Sequence, residues 1–181
     1  MPTESAGEAA VVLDPDDIAD GSDPLGVGAG DAPPGTYVLV FRVDTPARID
    51  VGALGGVEFP AGAYAYVGSA FGSGGLGRVD RHRRVAAGSH AVRHWHIDYL
   101  GSHPESSLDS VVAAPEADVE CHLSRQLRST VGADSGDAPT PGSGFGASDC
   151  DCPAHLIAGA DAEGLRAAAV DAVASVTEGE P

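Results

Sequence analysis

Residues 36–43 read Thr, Tyr, Val, Leu, Val, Phe, Arg, Val. This run of β-branched and aromatic residues has almost no polar break, which predicts a largely buried strand. Residues 48–51 and 57–59 flank the turn-forming Gly55 and Gly56, and residues 63–67 return as another strand, so that the whole forms an antiparallel ribbon. Gly72, Ser73, Gly74 and Gly75 end it. Residues 76–87 lack proline and fit a helix, with Leu76, Val79 and Ala86 on one side, while Arg78 and His82, four apart, stack on the other. A strand is expected over 107–113. Pro115 then opens a helix through about Thr130 with Val119, Leu123 and Leu127 as its apolar spine. Residues 154–158 suit a closing strand, and the Ala-rich 165–176 suit a helix by propensity. The fold class is therefore α+β, a small antiparallel sheet flanked by helices.

The segments outside this pattern set the organisation. Residues 1–34 are rich in Asp, Gly, Pro and Ala without sustained periodicity, and are expected to form a flexible acidic extension. The domain proper spans 35–160, and 161–181 forms a C-terminal helix and acidic tail. A chain of 181 residues, 43% hydrophobic, supports one domain with a real core. No apolar run is long enough to cross a bilayer, and the start lacks the basic and apolar stretches of a secretion signal, so a cytoplasmic protein with no membrane partner is expected.

Charge changes the picture. Net charge is −17, every basic residue is Arg, and there is no Lys and no Asn. This composition suggests the salt-loaded cytoplasm of a halophile, where at molar salt the Debye length is about 3 Å and an acidic surface repels itself little while staying hydrated; the plainer alternative is an acidic protein that avoids nucleic acid. Acidity alone does not exclude a nucleic-acid partner. The three segments carry −8, −5 and −4, so the middle is the least acidic. Within it Arg78, Arg81, Arg83, Arg84 and Arg93 oppose only Asp80, with His82, His90, His94 and His96 interleaved. Arg81, Arg83, Arg84 and Arg93 are the candidate nucleic-acid contacts.

Two short signatures, Gly35-Thr36-Tyr37 and Tyr66-Val67-Gly68, precede the run Arg78-Val79-Asp80-Arg81-His82. Two phenols, a guanidinium and an imidazole together can activate water and cradle a charged phosphorus centre. Tyr64, on the side of Tyr66, is the alternative second phenol, and the glycine two residues beyond Tyr66 favours Tyr66. In order and spacing these signals resemble the GIY-YIG nuclease superfamily, in a little-characterised branch with a longer insertion, here a β-hairpin, between the two tyrosine motifs. Phe59-Pro60-Ala61-Gly62, His94-Trp95-His96-Ile97-Asp98-Tyr99-Leu100 and Gly144-Phe145-Gly146-Ala147-Ser148-Asp149-Cys150 add to the resemblance, which covers about residues 35–159.

The resemblance implies a three-stranded antiparallel sheet with helices around it and a phosphodiester hydrolase using one divalent metal ion. Arg78 would be the catalytic arginine, His82 the residue one helical turn on, and a later acidic residue the metal ligand. Glu120 is the candidate ligand, since it shares a stripe with Leu123 and Leu127 where a bare carboxylate is costly to bury; an arginine partner would relieve the same cost. An oxygen ligand suits Mg²⁺ or Mn²⁺. Many relatives place an Asn after the metal-binding Glu, and this chain has none. The expected function is a metal-dependent endonuclease acting on DNA, RNA not being excluded, in repair, recombination or processing of structured DNA. The alternatives are a non-catalytic nucleic-acid-binding module on the same fold and an interaction protein recruited through its acidic tails.

Two further clusters stand apart. His94 and His96 alternate across a strand or bend with Asp98 on the side of His96, an arrangement open to metal binding but more simply explained by packing around Trp95. Cys150, Cys152 and His155, joined by Cys121, would offer four donors for structural zinc, against the plainer reading of free buried cysteines. An odd cysteine count without an export signal argues against disulfides.

Overall fold

A computed structural model describes residues 10–51, 55–88, 96–131, 155–159 and 161–178. In chain order the elements are β1 (Val11–Leu13), α1 (Pro15–Asp20), β2 (Gly35–Val43), β3 (Ala47–Asp50), β4 (Gly56–Phe59), β5 (Gly62–Ala70), α2 (Gly77–Ala86), α3 (His96–Gly101), β6 (Ser106–Pro115), α4 (Glu120–Thr130), β7 (Leu156–Gly159) and α5 (Ala162–Glu178). Among the described residues no helix is long and apolar enough to cross a membrane.

β2 is central because its side chains are apolar on both faces. It pairs antiparallel with β5 on one side and β6 on the other, inside a five-stranded sheet ordered β1-β6-β2-β5-β7. Period-two alternation divides its residues between two cores. Tyr37, Leu39, Phe41 and Val43 face α1, α2, α3 and the separate β3-β4 ribbon, while Val38 and Val40 face α4 and α5. The result is helix, sheet and helix in three layers.

Residues 10–34 pack on the sheet where a flexible extension was expected, and the C-terminal helix expected after residue 160 is present as α5. β1 pairs with β6, and Leu13, Ile18 and Val27 are buried. The Asp23 carboxylate, itself buried, accepts from the amides of Val27 at 2.8 Å and Gly28 at 2.9 Å. Three widely spaced apolar residues among many acids show no periodicity, yet each fills a slot on the sheet. At the other end α5 lays Leu165, Ala169, Ala172, Val173 and Val176 against the back of the sheet. It is half of the second core rather than an appendage.

Three local readings also change. Pro115 ends β6 opposite Gly35 and does not open a helix; Glu116, at φ 62°, turns the chain, and α4 begins at Glu120. On α2 the packing and functional faces are not separate, because His82 is buried together with Val79 and Val85, three residues to either side. The segment from His96 is a short helix, so Asp98 does not share a side with His96: Asp98 is buried, whereas His96 is partly exposed. His90, Arg93, His94 and Trp95 lie outside the described residues.

Candidate active site

Tyr37 sits directly opposite Gly68 across the β2-β5 pair, with Leu39 opposite Tyr66. The two tyrosines therefore project from neighbouring strands onto the face covered by α2. There the Tyr37 hydroxyl lies 2.8 Å from His82 Nε2, and the ring of Tyr66 stands edge-on to the same imidazole at a centroid separation of 6.4 Å. Tyr64 shares that face but turns its hydroxyl to the Pro60 carbonyl at 2.5 Å and its ring to Phe59, so it supports the hairpin and Tyr66 is the second phenol of the site.

His82 continues the chain of contacts. Its Nδ1 lies 3.4 Å from Asp98 Oδ1, and Arg81 Nη1 reaches the other carboxylate oxygen at 3.1 Å. Tyr37, His82 and Asp98 are all nearly inaccessible. Burial lowers the His82 pKa, with the Asp98 hydrogen bond and charge pulling it back up and Arg81 and Arg78 adding to the depression. The imidazole is accordingly neutral near neutral pH. With Nδ1–H directed at the Asp98 carboxylate, Nε2 is left to accept from the Tyr37 hydroxyl. Burial raises the Tyr37 pKa far above its ordinary value, Tyr66 and Glu120 add to this, and Arg78 opposes it. Tyr66 is raised for the same first reason, with Glu120 and Asp98 contributing and Arg78 opposing. Both phenols hold their protons at rest.

Asp98 is the member that sequence reasoning did not assign to this group. Its signal was an acid two residues after a histidine, and only the helical turn of α3 sends it toward α2. Arg81 is drawn inward by that same acid. Its side chain is 15% exposed and bound to Asp98, so it does not offer itself to solvent as expected of a nucleic-acid contact. Arg83 is likewise committed to Asp80 at 2.8 Å, and Arg84 contacts the same carboxylate at 3.2 Å but keeps 47% of its side chain exposed.

Arg78 and Glu120 form the accessible part. Arg78 is partly buried and donates to the Ser69 carbonyl at 2.6 Å, which fixes it beside the end of β5. Glu120 opens α4, and Thr36 determines where that helix starts: its Oγ1 donates to the Ala117 carbonyl at 2.7 Å and accepts from the Val119 amide at 3.1 Å. Thus the residue before Tyr37 holds the turn that precedes Glu120. The Glu120 side chain is 29% exposed, with Oε1 3.0 Å from Nδ1 of the buried His155. The stripe position suggested a carboxylate buried on the apolar face, whereas it lies at the rim within electrostatic reach of both phenols.

One rim carboxylate fits a hard divalent cation that keeps several waters and takes further oxygens from a bound phosphate. No group of three His, Cys, Asp or Glu side chains able to hold a metal occurs among the described residues. Of the four zinc candidates, Cys150 and Cys152 lie outside the described residues, Cys121 is partly buried, and His155 faces Glu120. A separate depression of about 850 Å³ lies at the opposite end of β2, around Arg42, Asp109 and Arg166, and holds none of these residues.

No curated protein and no solved structure matches this chain. A family model matches residues 36–178, from the first position after Gly35 through α5, and so takes in every residue of the site just described. The chain belongs to that family, described as domain of unknown function DUF123.

Proposed function

We propose that the protein is a divalent-metal-dependent endonuclease of the GIY-YIG type, hydrolysing phosphodiester bonds in DNA. The observation that carries this reading is the hydrogen-bonded series Tyr37, His82, Asp98 set behind a partly exposed arginine and carboxylate. Arg78 binds the nonbridging oxygens of the scissile phosphate and lowers the energy of the charge that builds on them. A water at the phosphate gives its proton to the Tyr37 oxygen as Tyr37 passes its own to His82 Nε2. The resulting hydroxide forms the new P–O bond as the bond to the leaving oxygen breaks; the leaving alkoxide takes a proton from solvent, and His82 returns its proton to solvent through Tyr37. Asp98 stabilises the transient imidazolium, while Tyr66 orients the group from the neighbouring strand. Glu120 would hold Mg²⁺ or Mn²⁺, which when bound supplies charge stabilisation at the leaving oxygen.

The test is incubation of supercoiled, branched and single-stranded DNA with Mn²⁺ or Mg²⁺ at high KCl, comparing the parent with Arg78→Ala and Glu120→Gln. Metal-dependent cleavage lost in both variants supports the reading. Tyr37 and Tyr66 are only 2% and 6% exposed, and that near-burial favours a second reading, a non-catalytic nucleic-acid-binding module whose tyrosines only fill the core. Binding by the parent without any cleavage would select it.

A further inference from the structure

Phe71 is 44% exposed, one of only two large hydrophobic side chains so exposed among the described residues. It lies between two residues whose backbones adjoin Arg78. The preceding strand, β5, ends with Ser69, whose carbonyl holds the Arg78 guanidinium, and Ala70. The next residue, Gly72, lies so near that a Cβ built on it would come 3.8 Å from Arg78 Nη2. The turn is held in shape: Gly75 donates to the Gly72 carbonyl at 3.1 Å, Leu76 donates to the Pro33 carbonyl at 2.9 Å, and a Cβ at Gly75 would meet that same carbonyl at 2.6 Å. Gly74 and Gly75 have φ of 90° and 51°, and the turn from Gly72 to Gly74 is exposed without a bulky side chain.

An aromatic ring left in water on a fixed turn, one residue from the glycine that adjoins the guanidinium proposed to bind phosphate, has the parts of a single-strand contact. Such sites combine cationic contact to the backbone with stacking of bases on exposed aromatic rings. The charge balance favours stacking further: at low salt a chain of net charge −17 repels polyanions, and at molar salt, where that repulsion is screened, counterion release no longer drives phosphate binding. Stacking survives both conditions.

Resting on the nuclease reading, we infer that Phe71 stacks on an unpaired base flanking the phosphate held by Arg78, so that the substrate is DNA with an unpaired base at the cut, not continuous duplex. Phe71 is a binding residue; the proton transfers do not involve it. Its exposure makes substitution harmless to the fold, which separates its role from a structural one.

The experiment measures binding by the full chain at molar KCl with a chelator present to prevent cutting. The ligands are a labelled single strand, its fully paired duplex, and a bubble duplex carrying a fluorescent adenine analogue in the unpaired region. The parent is expected to prefer single strand and bubble and to quench the analogue by stacking. Phe71→Ala should lose about ten-fold or more in affinity for these ligands, with quenching abolished and duplex binding unchanged. Phe71→Leu should resemble the alanine variant, and Phe71→Trp should restore both affinity and quenching. Parent and Phe71→Ala binding the bubble equally, or a parent that prefers duplex, overturns this inference while leaving metal-dependent cleavage to be judged separately. A parent that neither binds nor cleaves any DNA removes the nuclease reading and this inference together.

Discussion

The ring of Tyr37 rests on the bare backbone of Gly68: a Cβ at position 68 would lie 2.4 Å from Tyr37 Cζ and 2.5 Å from its hydroxyl oxygen. The glycine of the second signature therefore exists for the tyrosine of the first. Neither partner can yield, since the ring is 2% exposed and its hydroxyl is bound to His82. Gly68→Ala is expected to displace the phenol and destabilise the protein by about 1–3 kcal/mol, the range for overpacking a filled site. A denaturant midpoint equal to that of the parent, with the Tyr37 environment unchanged by NMR, would contradict it.

Thr36→Val tests whether the start of α4 is set from β2. Valine keeps the volume but removes the hydroxyl that serves both Ala117 and Val119. Leaving these backbone groups unmet costs about 1–3 kcal/mol. Glu120, one residue beyond Val119, should shift with the helix, so the metal concentration for half-maximal cleavage should rise more than the DNA concentration does. A variant that loses stability but keeps its metal requirement would show that Thr36 supports the fold without positioning Glu120.

Strand positions were legible because β2 and β5 are runs of β-formers with almost no polar break, whereas the pairing of Tyr37 with Gly68 is a register that only the structure supplies. The helix over 76–87 was legible too, but its orientation was not. Val79, His82 and Val85 share a face, and only the presence of two phenols beneath α2 and Asp98 beside it makes an imidazole acceptable there. Asp98 itself could not be assigned from spacing, because a strand or bend puts it on the side of His96, whereas the helix actually formed turns it inward and leaves His96 partly exposed. The N-terminal segment failed for a different reason. A compositional argument averages over residues, whereas Leu13, Ile18 and Val27 matter singly.

That segment yields a direct prediction. A chain shortened to begin at Gly35 uncovers the β1 edge of β6 and strips Leu13, Ile18 and Val27 from the first core. Burial of each such side chain stabilises by about 1.5–3 kcal/mol, so the shortened chain should lose several kcal/mol or fail to fold. Thermal melting of the two chains decides, and an unchanged midpoint would return the segment to a dispensable tail.

His82 should make both stability and activity pH-dependent with the same sign. Unfolded, the imidazole takes a proton near its ordinary value of 6.5, whereas folded, burial holds that step to lower pH. Between the two values the unfolded chain binds the extra proton, so this contribution to stability is full above the window and declines as pH falls through it. His96, also lowered by burial, adds in the same direction. His82→Gln in a His96→Gln background should therefore reduce the loss of stability as pH falls below the ordinary imidazole value of 6.5. Cleavage should fall on the acid side as His82 protonates and can no longer accept from Tyr37.

Arg81 and Arg84 separate an internal role from an external one. Arg81 Nη1 contacts both oxygens of Asp98, at 3.1 and 3.4 Å, and the Asp98 side chain has no exposure at all. Arg81→Ala would leave that carboxylate buried without its guanidinium, a change worth about 3–5 kcal/mol. Arg81→Lys keeps the charge but not the planar fork, and should recover part of the loss. Arg84, more exposed and paired with a partly exposed Asp80, should change stability by less than about 0.5 kcal/mol on conversion to alanine. Its removal should instead reduce the salt dependence of DNA binding, as loss of a phosphate contact does. Urea titrations of the two alanine variants make the comparison. If Arg81→Ala proves as stable as Arg84→Ala while weakening DNA binding, the arginine faces phosphate after all, and Asp98 does not depend on it.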